Sequence, residues 1–528
     1  MRTVLFGLDG ATYTVLDRLM SRGIMPNLKA FCESGSRAVL ESTPHPITPQ
    51  AWTTLATGRS AGHHGFTDFI RLEMTPKGPM IRFNTSNDYH CEPVWQYVSN
   101  TGGQATVLNY IGLAPPIPLN GHTMPGFVPG RHFKRASYPP DLFTKLDSVG
   151  NLDVHMLGLD FKIERQVLQE MEKEQWIEWI EHHLEREQAW FDIMEHLMIH
   201  EPSNLTAIVF DGVDKLQHFA YRYLDPALIP ENPTEWESRV ISLCDQYFGL
   251  VDKFLGRTVE IIGEEGRIVI ASDHGFTATH EIFYINRWLH DEGYLHWKTE
   301  AEEDDKESIV VDSITRHTDH YDWDHTTAYA LTPSSNGVYL WNVPEESYES
   351  VRDELIGKLL GIRAPDGGQL IIDVKKREEW FPGPYMHRAP DLTLTMRDHG
   401  FFSVLNARDA LVTRREIAGT HHPDGIMIAK GTGIKQGQNL KTLNIIDVTP
   451  FLAHSLGLPI PSDYEGSFPG DFYEPAYLEA DPPRVQEVVR DQDGRSPAAS
   501  ESPGSAQELE QEDQDALMER LRSLGYVE

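Results

Sequence analysis

Four short apolar runs recur along the chain, each closed by a polar or acidic residue: 3–8 before Asp9, 105–108 before Asn109, 206–210 before Asp211 and 267–272 before Asp273. Runs that stay apolar at successive positions, without the alternation of a half-solvated strand, read as parallel strands buried on both faces. Between several of them lie stretches with apolar residues at helical spacing: 13–34 with a break near Pro26, 164–200, 234–256 and 347–360. Strands alternating with helices predict an open α/β sheet with helices on both faces, and in such sheets ligands collect at the carboxyl ends of the strands. The acidic residues sit at those ends.

Two segments break the alternation. Residues from about 111 to 165 include a Pro- and Gly-rich stretch at 113–130 and predict a loop-rich excursion over one sheet edge. Residues from about 298 to 390 open on the acidic run 300–305 and form a second insertion. The catalytic unit is expected to span 1–475. From 476 to 515, most strongly after Arg490, the chain turns Ser-, Gln- and acid-rich and predicts a flexible linker, and the apolar periodicity of 517–526 predicts a short terminal helix within 516–528.

With 40% hydrophobic and 10% aromatic residues over 528 positions, the chain can build a packed core, which excludes wholesale disorder. Its 80 acidic against 46 basic side chains, a formal charge of -34, repel a phosphate backbone, so duplex nucleic acid is not an expected partner. No run of about 18 consecutive apolar residues occurs, so no membrane-spanning helix is expected. The first residues carry no signal-peptide pattern. Three widely separated cysteines (Cys32, Cys91 and Cys244) supply neither a disulfide framework nor a Cys-rich zinc module. A cytoplasmic location is the expectation, and the oligomeric state is not legible.

Four segments carry candidate chemistry. In 47–58, Thr48 suits an N-cap, Pro49 the first helical position and Gly58 the helix end. Taken alone this is a capped short helix; functionally, it places a hydroxyl where unpaired N–H groups and the helix dipole favour an anion. Asp214 and His218 follow a strand four residues apart, so on a helix they share a face and can grip one divalent ion, although such a pair is also ordinary helix surface. Asp273 and His274 stand at the tip of an apolar strand, with Gly275 expected to allow a turn, or else simply terminate that strand. Asp9 repeats the idea after the first run. His421 and His422 precede a proline turn and the strand 426–429.

In this order the pieces resemble the alkaline phosphatase superfamily, most closely its type I phosphodiesterase and nucleotide pyrophosphatase branch. The resemblance runs from Asp9 to about Pro461 and includes Thr48 with Ala56-Thr57-Gly58, Asp214 with His218, Ala271-Ser272-Asp273-His274-Gly275, and Gly419-Thr420-His421. Softer similarities are Asn286-Arg287-Trp288-Leu289 with Gly293-Tyr294-Leu295, and Asp447-Val448-Thr449-Pro450. The implied fold is an alkaline-phosphatase-like three-layer α/β/α sandwich with a largely parallel central sheet and inserted cap segments.

The resemblance also implies two divalent metal ions. One would be held by Asp214, His218 and His421; the other by Asp9, Asp273 and His274, with the Thr48 oxygen approaching it as nucleophile. Three carboxylates and three imidazoles suit zinc, and manganese or iron accept the same donors. His422 competes with His421, which the family's Gly-x-His pattern favours, and Asp211 is set aside because its partner four residues on is Lys215. Asn109 is expected to put a polar group on the phosphoryl oxygen. The implied activity is a phosphodiesterase or nucleotide pyrophosphatase acting on small phosphate esters, by in-line attack of Thr48 and a phosphothreonine intermediate at a two-metal site. Its alternatives are a phosphomonoesterase or phosphomutase of the same superfamily, and a non-catalytic metal-binding regulatory protein that keeps the fold. A sulfatase would need Cys or Ser in place of Thr48, Pro in place of Gln50 and Arg in place of Trp52. His63 and His64 read as structural, Arg59 as a phosphate ligand or a cap on that helix, Arg131, His132, Lys134 and Arg135 as a solvated loop, and Trp52 as pocket lining or core.

Overall fold

Alternate residues of the central strands feed two different cores. In β1 (Thr3–Leu8), Val4, Phe6 and Leu8 join one apolar cluster and Leu5 the other; in β5 (Leu205–Phe210), Ile208 and Phe210 part from Leu205, Ala207 and Val209 in the same way. The first cluster is closed by the helices Tyr13–Ser21, Pro26–Glu33, α2 (Lys173–His200), α3 (Gly212–Ala220) and Glu235–Ile262. The second is closed by α1 (Thr48–Thr57), Val94–Asn100, Ile285–Asp291 and Val448–Ser455. Both faces are covered, which is why the strands are apolar throughout. The protein is thus a three-layer α/β/α sandwich. These observations come from a computed structural model that describes residues 2–75, 78–149, 152–158, 173–298 and 318–488.

The nine-stranded sheet runs in the order Gln438–Asn439, β2 (Ser36–Glu41), β7 (Asp424–Gly431), β6 (Arg267–Ala271), β1, β5, β3 (Ala105–Tyr110), β4 (Gly121–Pro125), with Leu443–Asn444 also on β2. Only β7 runs antiparallel to its neighbours, β2 and β6. The register pairs Leu8 with Phe210 and Gly7 with Ala271, so the chain leaves β1, β5 and β6 at one level, carrying Asp9, Asp211 and Asp273 to the same rim. Beyond β6 an antiparallel arm, Gly275–Phe283 with Leu411–His422, sets His421 opposite Phe276.

The first insertion contributes β4, an edge strand, as well as loops. The second builds its own four-stranded sheet, in the order Ala328–Ala330, Gly337–Leu340, Leu392–Met396, Ile371–Lys376. It therefore continues past residue 390. The linker expected from 476 begins as the helix Pro475–Ala480 and the strand Val485–Gln486, which pairs with Ile460–Pro461. From residue 489 the expected linker, and with it the expected terminal helix, lies outside the described residues. Among the described residues no helix is long and apolar enough to cross a membrane.

Candidate active site

Thr48 is the first helical residue of α1, not its N-cap. Ile47 takes the cap with extended backbone, Pro49 falls within the first turn, and Gly58 closes the helix at φ 63°. Proline is tolerated there because first-turn N–H groups have no intrahelical partner. The Thr48 hydroxyl sits buried 3.4 Å from His274 Nε2.

Two groups of donors surround it. Asp9, Asp273 and His274 offer atoms within 4.8 Å of one another, and so do Asp214, His274 and His421. Within the first group His274 Nε2 lies 3.6 Å from Asp9 Oδ1 and 3.2 Å from Asp273 Oδ2. In the second, Asp214 Oδ1 is 3.2 Å from His421 Nε2; His218, outside that group, brings its Nε2 to 3.4 Å from Asp214 Oδ1 and 3.0 Å from His421 Nε2. His218, one turn after Asp214 on α3, is half-buried; the others are buried. The His274 and His421 rings stack with centroids 3.5 Å apart, so the two groups adjoin. All seven residues expected at the site are therefore in one place.

Their electrostatics are those of an anion-rich cavity. Burial first, then repulsion from Asp273 and Asp214, holds the Asp9 carboxyl well above the usual range, and burial with the Asp214 charge does the same to Asp273. Burial also raises Asp214, but the His218 and His421 imidazoles outweigh it and keep that carboxyl well below the usual range. The His274 and His421 rings are pushed down by burial, toward the neutral form that offers a lone pair. Their other nitrogens are fixed from behind: His421 Nδ1 lies 2.7 Å from Pro46 O and His274 Nδ1 lies 3.1 Å from Gly275 O, so each ring turns Nε2 toward the cavity.

The family model for type I phosphodiesterase/nucleotide pyrophosphatase matches residues 3–424. The chain belongs to this family. Like other type I phosphodiesterase/nucleotide pyrophosphatase members it is a hydrolase of the phosphodiesterase and pyrophosphatase type, and the family is metal-dependent. Among solved structures, the phosphonoacetate hydrolase of Sinorhizobium meliloti 1021 in complex with phosphonoformate is 15% identical, with 86% of this chain and 96% of that one covered at a TM-score of 0.53. Murine ectonucleotide pyrophosphatase/phosphodiesterase 5 is 15% identical over 90% of this chain and all of that one, at 0.50. Its human counterpart is 14% identical over the same shares, at 0.51. These likenesses are of fold, and the fold is alkaline-phosphatase-like. No curated protein sequence matches the chain.

The donor groups fit the metal dependence of the family. Asp9 Oδ1 and Asp273 Oδ2 are buried yet have no hydrogen-bond partner, an expensive state for carboxylate oxygens unless a cation joins them. Among the described residues the two donor groups above are the ones with metal-binding geometry. His421 turns into this cavity, whereas His422 is partly exposed and its Nδ1 accepts the Asp424 N–H at 3.1 Å.

Asn109, expected on a phosphoryl oxygen, turns its amide toward the protein. Its amide donates to Val209 O at 2.7 Å and to Asp211 Oδ1 at 3.0 Å, which commits both hydrogens and leaves none for a phosphoryl oxygen. Asp211 itself is held by Arg186 at 2.5 Å and Lys215 at 3.1 Å, a buried ionic knot behind α3. Arg59 pairs with Asp463 and Glu465, and His63 also meets Glu465. His64 Nε2 lies 3.0 Å from Thr54 Oγ1.

Several supporting contacts escape a reading of the sequence, which offers Trp52 only as pocket lining or core. Trp52 donates its indole N–H to Asp9 Oδ2 at 3.2 Å, Gly10 N–H reaches Asp273 Oδ1 at 3.1 Å, and Gln217 Nε2 reaches Gly10 O at 2.7 Å. For Trp52 there was a signal, since it follows Thr48 by one helical turn and shares its face. The others are partners across more than two hundred residues, which no local pattern marks.

Proposed function

We propose that the protein is a two-metal phosphodiesterase or nucleotide pyrophosphatase whose nucleophile is Thr48. The observation that carries this reading is the Thr48 hydroxyl 3.4 Å from His274 Nε2, at the junction of two buried carboxylate–imidazole groups. Asp9, Asp273 and His274 would hold one divalent ion, and Asp214, His218 and His421 the other. Zinc suits these oxygen and nitrogen donors. Bound there, divalent ions supply Lewis acidity that stabilises an alkoxide and neutralises a phosphoryl group.

The residues do the rest. Thr48 Oγ1 gives up its proton to solvent and attacks phosphorus in line, forming phosphothreonine as the bond to the leaving oxygen breaks and that oxygen departs to take a proton from water. The start of α1 presents N–H groups and the positive end of its dipole to the phosphoryl oxygens. Trp52 and the Gly10 N–H keep Asp9 and Asp273 aimed at the cavity, and Pro46 O keeps His421 Nε2 turned inward. Water then attacks from the side the leaving group vacated and restores the threonine.

The substrate is a small phosphate ester, the catalytic unit runs on through Val485–Gln486, which pairs with Ile460–Pro461, and three unpaired cysteines support a reducing, cytoplasmic setting. Zinc-loaded protein and its Thr48→Ala variant, assayed on a chromogenic diester, test the reading. Turnover should vanish in the variant while bound zinc, read by elemental analysis, is retained. Near-normal turnover would remove Thr48 from the mechanism.

A further inference from the structure

Tyr110 ends β3, two strands from β1 on the rim that carries the candidate site. It is buried, and its hydroxyl has no hydrogen-bond partner. Burial of an unmet hydroxyl disfavours the fold, so such groups are rare and call for an explanation. The ring is wedged edge-on between Trp52, 5.4 Å away, and Trp95, 5.0 Å away. Trp52 is the residue whose indole N–H holds Asp9, and it lies one turn along α1 from Thr48. The phenol therefore packs on the nucleophile helix through Trp52, the residue that joins that helix to Asp9. Burial, the neighbouring Tyr89 and the charges of Asp273 and Asp9 keep it protonated, a donor and never an anion, at neutral pH. With the Asn109 amide committed elsewhere, the rim of β3 has this one unmet donor.

We infer that the Tyr110 hydroxyl contacts the substrate, donating a hydrogen bond to a non-bridging oxygen of the phosphoryl group held beside Thr48. The inference rests on the phosphohydrolase reading above. A hydroxyl that only fills the core would behave differently, because replacing it by hydrogen would leave kinetics alone.

Full-length zinc-loaded protein and its Tyr110→Phe variant are compared on bis(p-nitrophenyl) phosphate. A lost hydrogen bond to a charged oxygen should lower kcat/KM by about 10- to 100-fold, with zinc content unchanged and the melting temperature equal or higher. A kcat/KM indistinguishable from that of the wild type would overturn the inference. A second measurement does not depend on turnover: meta-fluorotyrosine is placed at position 110 of the zinc-loaded wild type and inorganic phosphate is added. A shifted fluorine resonance supports the contact; an unmoved one rejects it. Should the wild type cleave no diester, the phosphohydrolase reading fails by itself, and the fluorine experiment still decides the fate of Tyr110.

Discussion

At Asp68, burial and hydrogen bonding pull a carboxyl in opposite directions. It accepts hydrogen bonds from Thr332 Oγ1 at 2.6 Å and Ser334 Oγ at 2.7 Å, tying the chain after α1 to the second insertion. Burial nonetheless prevails and pushes its pKa up to about 6, from an ordinary value of 3.8. The folded protein then holds a proton that the unfolded chain has already released, so stability is lost as pH rises from 3.8 to about 6. Such a shift corresponds to something on the order of 3 kcal/mol. Asp68→Asn should remove that slope, measured by urea unfolding at several pH values between 4 and 7. Parallel pH profiles for variant and wild type would mean that Asp68 does not titrate in this window. Asp9 and Asp273 feel the same burial but lack donors on their inner oxygens, which is why they read as ligands and Asp68 as a structural acid.

At the scale of elements, the site depends on how the antiparallel arm meets α3. A Cβ at Gly419 would stand 2.2 Å from Gln217 O and 2.9 Å from Tyr221 Cβ. Backbone cannot yield as a side chain can, so Gly419→Ala must push the arm away from the helix. His421 would move with the arm and Asp214 and His218 stay with the helix. The expected outcome is a loss of roughly 1–3 kcal/mol in stability, as for other overpacked sites, together with zinc lost from one site on dialysis. Full zinc retention would show that arm position does not set the ligand geometry. Gly275 is subject to the same steric limit: a Cβ there would lie 2.0 Å from Asp424 O. The sequence suggested a turn at this glycine, yet it begins a strand, and its reason is close approach. Likewise Thr48 looked like an N-cap because caps favour hydroxyls, but the extended residue proved to be Ile47.

For the molecule as a whole, three buried carboxylates, Asp9, Asp214 and Asp273, share one cavity in a protein already carrying a formal charge of -34. Their repulsion opposes folding, and divalent ions that bind only the folded state should oppose it in turn. Thermal unfolding with a chelator and with excess zinc measures this. Zinc at a hundred times its dissociation constant should add about 2.7 kcal/mol at one site, raising the midpoint. Equal midpoints in the two conditions would argue against a metal site. The sequence by itself determined the class of fold, because a residue's place in a doubly covered strand is written in the uninterrupted apolar runs around Leu5, Ala207 and Val269. It also marked the ligand-bearing ends of those runs, since polar residues at strand tips stand out against apolar neighbours. It did not determine that His421 faces Asp214, that Asn109 turns its amide on Asp211, or that Tyr110 is left without a partner. Those facts follow from sheet order, register and the approach of segments hundreds of residues apart, where contact geometry decides and local periodicity is silent.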